Sequence, residues 1–366
     1  MLTRIYIDNF RCFVNFEFKP GPKQLILGAN GSGKSSFMDA LILIRRLAFR
    51  GESLRDLDIL DQRTRWEDRP RQTFHIEACL DGETYLYQLG LEPWGSPVTQ
   101  VVALESVHVD GKLILLFRDG EVELFDGKDG FMRRYPFDWR RSALASILER
   151  QSNGKLSPFQ KWLESLTASR INPFAMTSET RGEDFYAQTD LSNLASWYRH
   201  LSQEHPLQNV ALTESLQAVL DSFAVLGSEP AGRSRMMFAQ FLDASGKSLK
   251  FGLEEISEGQ RCLICLYMIL HFVLANGGTV VIDGPDNFIS LREIQPWLMS
   301  ARDAVDSGNG QLILISHHPE VLNQWAPEYG VRFVRDGLGP VRVQEFHGDP
   351  DGTLTPAEIV ARGWEE

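Results

Sequence analysis

The chain has 366 residues, 43% of them hydrophobic and 23% charged, with 17 prolines spread along it. That balance belongs to a folded protein and excludes disorder and fibrous repeats; at roughly 150 residues per domain it allows two units, or one large α/β domain with insertions. A net charge of −12 argues against a protein that coats nucleic acid by bulk positive charge, while a local basic groove stays open.

In chain order, the first ten residues carry Arg4 and Asp8 inside an apolar pattern and have no small-residue cleavage site, so they predict a strand and not a secretion signal. Apolar residues alternate with polar ones from Leu2 to Ile7 and again from Phe16 to Phe18, before Pro20-Gly21-Pro22 ends what reads as an antiparallel pair. The short apolar run from Gln24 to Leu27 stops at a glycine-rich turn. Helical spacing then runs from Phe37 to Phe49, interrupted by Arg45 and Arg46, which gives strand, loop, helix. Residues 51 to 70 are charge-rich and weakly periodic. From Thr73 to Val122, short alternating runs are separated by Asp81-Gly82, Asp110-Gly111 and Asp119-Gly120, pairs that tolerate positive φ and so predict hairpins.

From Trp139 to Leu226 the pattern turns helical, cut by Pro158, Pro173 and Pro206. The last third alternates strands (Thr279 to Ile282, Gln311 to Ile315, Val331 to Val334) with helices, a βαβ rhythm that implies a parallel sheet. The expected division is a discontinuous head from 1–50 and 250–366, an antiparallel β subdomain over 51–138 and a helical insertion over 139–249. Between residues 36 and 256 the chain is too short and too often broken by proline for a long antiparallel coiled coil. The longest apolar stretch, Cys262 to Ala275, falls short of the roughly 18 residues a membrane-spanning helix needs, so no membrane partner is expected. Four cysteines cannot frame a chain of this length, and with no leader a reducing cytoplasm and free thiols are expected.

Gly28-Ala29-Asn30-Gly31-Ser32-Gly33-Lys34-Ser35 has the spacing of a phosphate-binding loop: glycines let backbone N–H groups curl around an anion while the next helix points its positive end at it. Lys34 would reach the outer phosphates. Ser35 would place its hydroxyl on Mg²⁺, which bridges phosphate oxygens and offsets their charge. The plainer alternative is a glycine-rich turn that caps a helix. A second part should be an aspartate closing a buried strand, and Asp283 does so after Thr279-Val280-Val281-Ile282, although an apolar strand ending in an acid is common in any α/β fold. Ser257-Glu258-Gly259-Gln260 opens an apolar helix; taken alone, its serine is an N-cap. Ser316-His317 follows a further strand.

Phosphate loop, long insertion, Ser-x-Gly-Gln at a helix start, strand plus aspartate, then Ser316-His317: this order resembles the ATP-binding cassette ATPases of the branch that contains RecF, SMC and OLD-like proteins. The opening Ile7-Asp8-Asn9-Phe10-Arg11-Cys12-Phe13 is similar to the start of that branch, and the middle of the chain matches only in kind. The resemblance implies an α/β P-loop NTPase with an ABC-type head: a mixed central sheet, N-terminal antiparallel strands and an inserted β-hairpin and helical region. It implies ATP and Mg²⁺ as cofactors, with Arg11, Ser36 and the loop residues among the nucleotide contacts and Ser35 and Asp283 on the metal. It further implies a homodimer in which Ser257, Gly259 and Gln260 complete the partner copy's ATP site. His317 corresponds to the switch histidine that senses the γ-phosphate, and His318 beside it reads as packing or surface.

One position departs from the family pattern. The residue after the strand aspartate is usually a glutamate that polarises the hydrolytic water, and here it is Gly284. Loss of a positioned base typically costs about 10²- to 10⁴-fold in rate while binding groups stay intact, so slow turnover is expected. Asp286, beyond Pro285, is the candidate substitute carboxylate. Cys262 and Cys265 are spaced as a metal pair but lack a second pair, and packing is the better reading. No Ser-His-Asp order and no two-metal nuclease spacing stands out. The resulting expectation is an ATP-dependent dimerising ATPase that acts with a separately encoded effector such as a nuclease in DNA repair or antiphage defence. DNA contact by Arg45-Arg46, Arg133-Arg134 or Arg140-Arg141 is weighed against plain solvated surface. The runner-up is a nucleotide-sensing scaffold that never touches DNA. A small P-loop kinase is discounted because it needs neither Ser257 to Gln260 nor His317 in this order.

Overall fold

The computed structural model describes residues 1–57, 62–126, 130–147, 154–308, 310–349 and 352–363, with the backbone alone at 96–98. Two compact units divide the chain: Met1–Leu166 with Gly330–Phe346, and Thr167–Tyr329 with His347–Glu366. This division differs from the expected three parts, because the N-terminal strands and the Asp-Gly hairpins share one sheet.

In the first unit, β1 (Leu2–Asp8) and β2 (Phe16–Phe18) pair antiparallel with Ile5 opposite Phe18, as their alternation predicts. β3 (Lys23–Leu27) leads through the glycine-rich turn into α1 (Lys34–Ala48). β4 (Gln72–Leu80), β5 (Glu83–Trp94), β6 (Ser96–Val109), β7 (Lys112–Arg118), β8 (Glu121–Phe125) and β9 (Phe131–Pro136) extend the sheet on the far side of β1, in the order β2-β1-β4-β5-β6-β7-β8-β9. Asp81-Gly82, Asp110-Gly111 and Asp119-Gly120 turn between successive strands with both residues at positive φ, the geometry that matches strand twist in two-residue hairpins. The helices α2 (Ala143–Ser146) and α3 (Ser157–Ser165) complete this part.

The second unit opens with β10 (Thr167–Ser169) and β11 (Glu179–Thr180), then α4 (Leu194–Glu204) and α5 (Pro206–Val219). The antiparallel strands β12 (Phe223–Ala231), β13 (Ser234–Leu242) and β14 (Ser248–Gly252) follow, so the stretch expected to be a helical insertion ends in a small sheet with β11 on its other edge. β10, β15 (Thr279–Asp283) and β16 (Gln311–Ile315) form a parallel set, flanked in sequence by α6 (Glu258–Phe272), α7 (Leu291–Ser307) and α8 (Pro319–Tyr329). The chain then returns to the first unit, where β17 (Gly330–Arg335) runs parallel to β3 and β18 (Val341–Glu345) pairs antiparallel with β17, a mixed sheet. The short α9 (Pro356–Arg362) belongs to the second unit. The expected α/β class, with antiparallel strands at the start and a mixed sheet, is what forms.

The helical run Glu258–Asn276 is longer than the apolar stretch read from sequence, and its 19 residues are long and apolar enough to cross a membrane by length and composition. Physically it is a core helix: Arg261 to Leu270 are all buried, and the Trp297 indole of α7 donates to the Leu266 carbonyl at 3.0 Å. From Cys262 to Leu270 it is buried on every side and carries no polar face, as the middle of a central helix must. All four cysteines are free. Cys262 and Cys265 lie inside α6, where burial pushes the Cys262 thiol up to about 12 and raises that of Cys265 well above its ordinary value, so both act as small hydrophobes. Among the described residues no cluster of His, Cys, Asp and Glu suits a metal ion.

The first unit also buries a carboxyl group. Glu105 on β6 is 0% exposed and accepts from the Tyr87 hydroxyl (2.9 Å), the Ser142 hydroxyl (2.5 Å) and the Ala143 N–H (2.6 Å), which fixes the start of α2 against the sheet. Burial raises its pKa despite these donors. The folded state therefore holds this proton more tightly than the unfolded chain, and the group's contribution to stability grows as pH falls through the raised value, levelling off below the ordinary carboxylate range. Glu105→Ala, which strands three donors, should lower the unfolding free energy by about 3 kcal/mol or more in chemical denaturation. Glu105→Gln should cost less and should remove that gain on acidification.

Candidate functional site

The phosphate loop lies entirely in the first unit, between β3 and α1. Gly28, Gly31 and Gly33 all take positive φ (138°, 81° and 98°), a conformation open to glycine without strain. At two of them the space is also taken. A β-carbon on Gly28 would sit 2.4 Å from the Phe333 carbonyl oxygen of β17, and one on Gly33 would meet Cys12 Sγ and Val341 Cγ2 at 3.0 Å. Gly33 is the N-cap of α1 and no side chain caps that helix start, which suits an anion at its positive end. Lys34 is buried and arches over the loop, its Nζ donating to the carbonyls of Gly28 (2.6 Å) and Ala29 (2.9 Å). Ala29, Asn30, Gly31 and Ser35 are exposed and Ser32 is buried. Ser36 is half-buried and bonds the Cys12 thiol. The curl of N–H groups, the lysine and the exposed Ser35 hydroxyl together fit a magnesium-bound polyphosphate.

Arg11 stands beside this loop by way of α1. It takes positive φ (51°), its N–H donates to the Gln62 carbonyl at 2.7 Å, and its guanidinium is bonded to Asp39 of α1 and lies 5.5 Å from the Phe10 ring centroid. Beneath the loop, Phe13, Phe16, Phe18, Phe37 and Phe333 pack edge-on and tilted, with centroids 4.2 to 6.0 Å apart. Sequence reading missed Arg335 at the end of β17, which donates to Gly31 O (3.4 Å) and Gly339 O (2.7 Å) and lies 5.1 Å over the Trp66 ring.

The remaining motif residues belong to the second unit and converge on the carboxyl ends of β10, β15 and β16, where open α/β sheets carry their ligand-binding loops. Asp283 closes β15. Its Oδ2 accepts from Arg170 Nε (3.1 Å) and Nη2 (2.8 Å), a partner that no motif announced. Gly284 follows at φ 70°, and a β-carbon there would meet the Asn287 amide nitrogen at 2.2 Å. The Asn287 amide is the far end of a flexible side chain, so it is the positive φ that makes any side chain here strained. Asp286 accepts from the Ser316 hydroxyl at 2.5 Å, and Ser316 Oγ in turn accepts from the His318 N–H at 3.0 Å. His317 is exposed at this turn; His318 Nδ1 accepts from the Glu320 N–H at 3.2 Å, a local structural bond.

Ser257 is the N-cap of α6. Its hydroxyl accepts from the Gln260 N–H (3.3 Å) and Gln260 Oε1 accepts from the Ser257 N–H (3.0 Å), a complete capping box that commits the Gln260 side chain to the helix start. Gly259 is required for close approach: a β-carbon would lie 2.7 Å from the Phe288 carbonyl. Phe288 itself has positive φ (68°), is exposed, and meets exposed Phe174 edge-on at 5.5 Å. Of the arginine pairs, Arg45 donates to the Leu163 and Glu164 carbonyls, Arg46 pairs with Glu52, Arg134 with Glu123 and Arg140 with Asp138. Those four have structural work; Arg141 is exposed and donates to the Gly51 carbonyl at 3.3 Å, and Arg133 is exposed. A polar cleft of about 510 Å³ between α4, α5 and β12–β13 contains none of the motif residues.

Residues 4–71 match the family model described as an AAA domain. No curated protein matches the chain. Among solved structures, an SMC head bound to the C-winged helix domain of ScpA is 13% identical, with 94% of this chain and 98% of that chain covered and a TM-score of 0.56. An SMC head domain with an extended coiled coil, bound to the C-terminal domain of ScpA derived from Pyrococcus furiosus, is 11% identical over 99% of this chain and 98% of that chain, with a TM-score of 0.54. With the AAA match over residues 4–71, which contain its phosphate loop, the chain has the fold of these SMC head domains over nearly its whole length.

Proposed function

We propose that the protein is an ATP-binding module whose two copies close on magnesium-bound ATP, which turns over slowly, and which acts through a separately encoded partner. The observation that carries this reading is the phosphate loop: three glycines at positive φ, Gly28 with no room for a β-carbon and Gly33 with tight space for one, and a lysine arched across them. The loop N–H groups and Lys34 bind phosphate oxygens, and Arg11 and Ser36 support them from the same unit. Bound magnesium supplies charge neutralisation between phosphate oxygens. The motif order gives Ser35 of the first unit and Asp283 of the second as its candidate ligands, each within its own unit. Ser257 and Gly259 serve the ATP of the other copy with a hydroxyl and the positive end of a helix, and His317 senses the γ-phosphate.

Slow turnover rests on Gly284. Asp286 is engaged with Ser316, so as a substitute base it would have to release that hydroxyl first. The partner rests on analogy: both SMC heads compared above have a bound ScpA domain, and this chain has no effector chemistry among its motifs. DNA repair or antiphage defence in the cytoplasm, with a nuclease as effector, is the setting that the branch resemblance supports. The second reading, a nucleotide sensor that regulates a partner without touching DNA, is favoured by Gly284 and by the arginines already engaged in structural bonds. Binding to DNA that weakens steeply with salt, and only when ATP is present, separates the first setting from the second.

Lys34→Ala should weaken ATP binding about 10- to 100-fold in calorimetry through loss of a charge-assisted contact. Ser257→Arg should leave the monomer's ATP affinity intact and abolish the ATP-dependent dimer in light scattering; a wild-type chain that stays monomeric at saturating ATP rejects the closed-dimer reading. Gly284→Glu should lower stability by about 1–2 kcal/mol through strain at positive φ, and should not raise steady-state turnover as much as tenfold. Residual turnover should survive Asp286→Ala within about threefold, whereas a loss of 100-fold or more would assign the base to Asp286.

A further inference from the structure

The cleft between α4, α5 and the β12–β13 hairpin lies wholly in the second unit. Its volume of about 510 Å³ is that of a small-molecule site. Arg199 lines it from the helical wall and Arg235 from the strand wall, and no carboxylate does, in a chain whose net charge is −12. Arg235 is held in place by its neighbour on the hairpin: Nε donates to Ser228 Oγ (3.0 Å) and Nη2 to the Ser228 carbonyl (2.6 Å). Among the described residues both of its bonds go to Ser228, so its charge is unanswered. Arg199 meets one carboxylate, Glu183, whose Oε1 lies 3.2 Å from Nε and also accepts from Gln203 Nε2 at 3.2 Å. That Nε is shielded from solvent and makes no hydrogen bond, and Asn209 Oδ1 of α5 is likewise shielded and accepts none. Shielded polar atoms without partners are uncommon in folded proteins, and here two belong to residues that line one cleft.

We propose that this cleft binds a sugar phosphate, a phosphate monoester that carries free hydroxyl groups. The two guanidiniums meet the phosphate oxygens, and arginine's planar fork of donors suits that task. Ser228 Oγ accepts from Arg235, so its own O–H is left to donate to the same phosphate. A carboxylate carries a single charge and lies in one plane, whereas a phosphate dianion presents oxygens to both walls at once. The anion alone cannot satisfy Asn209 Oδ1, which needs a donor, and a sugar hydroxyl supplies one. The site shares no residue with the phosphate loop and needs neither ATP nor a second copy of the chain, so it stands or falls separately from the nucleotide reading.

The competing explanation is a solvated hollow in which water serves these groups. Calorimetric titration of ribose 5-phosphate into the chain carrying Lys34→Ala, which weakens the phosphate loop as a second anion site, distinguishes the two. Saturable binding below about 5 mM is expected, displaced by inorganic phosphate and not by ribose. Arg235→Gln in that background should weaken binding about 10-fold or more, as loss of a charge-assisted contact does. In the otherwise wild-type chain Arg235→Gln should leave ATP affinity within about twofold. Asn209→Asp keeps the shape but puts a negative charge beside the phosphate; it should weaken ribose 5-phosphate about as much, and covers the case in which Arg235→Gln is unstable. No saturation below about 5 mM, displacement by ribose, or affinity that stays within about twofold in both variants overturns the inference.

Discussion

The backbone of Gly28 rests against the carbonyl of Phe333, and the shape of the phosphate loop depends on that approach. A β-carbon would intrude to 2.4 Å, so the chain can leave β3 and curl at once only with glycine there. β17 has to deliver Phe333 to the right depth, and it does so because its ring is locked among Phe16, Phe18 and Phe37, contributed by β2 and α1. Aromatic rings bury large areas and prefer edge-on geometry, so the cluster fixes both distance and orientation. The loop is therefore held from below by packing and from above by Lys34. A polyphosphate would meet N–H groups already oriented, which spares the ordering entropy that a flexible glycine loop would otherwise lose.

Those features explain which parts of the molecule were legible in the sequence. Period-two alternation in β1 and β2, the three Asp-Gly turns and the strand-loop-helix around Gly28 are local signals whose geometry follows from the residues themselves. Asp283 and the start of α6 were also legible, because a β-branched run and a capping box have local causes. The hairpin of β12 and β13 was not: its residues, such as Met236, Met237, Phe238 and Ala239, suit a helix as well as a strand, and pairing across the turn decides. Arg170 was hidden for a related reason. β10 is three residues long, Thr-Ala-Ser, too short for a period, and only its parallel register with β15 brings the arginine to Asp283.

Ser257 illustrates how a structural and a functional reading coexist. Its hydroxyl completes a capping box, which accounts for a serine there without any ligand. Yet Gly259 one turn in has no helical reason to be glycine and a strong tertiary one, the Phe288 carbonyl at 2.7 Å from a would-be β-carbon. That contact joins the helix start to the loop after β15, and on the other side Arg261 joins it to the loop after β10. The three carboxyl-end loops of the second unit thus form one bonded block in which Asp283, Asp286 and the serine-led helix are mechanically connected.

Gly284 gains meaning inside that block. Its positive φ lets the chain turn back so that its N–H donates to the Ile315 carbonyl at 2.8 Å, and Asp286 can then reach Ser316 on the neighbouring strand end. A glutamate in the same turn would face both a left-handed backbone and the Asn287 side chain. The turn thus makes a tight cross-link between strand ends, one that ties the aspartate loop to the turn carrying His317.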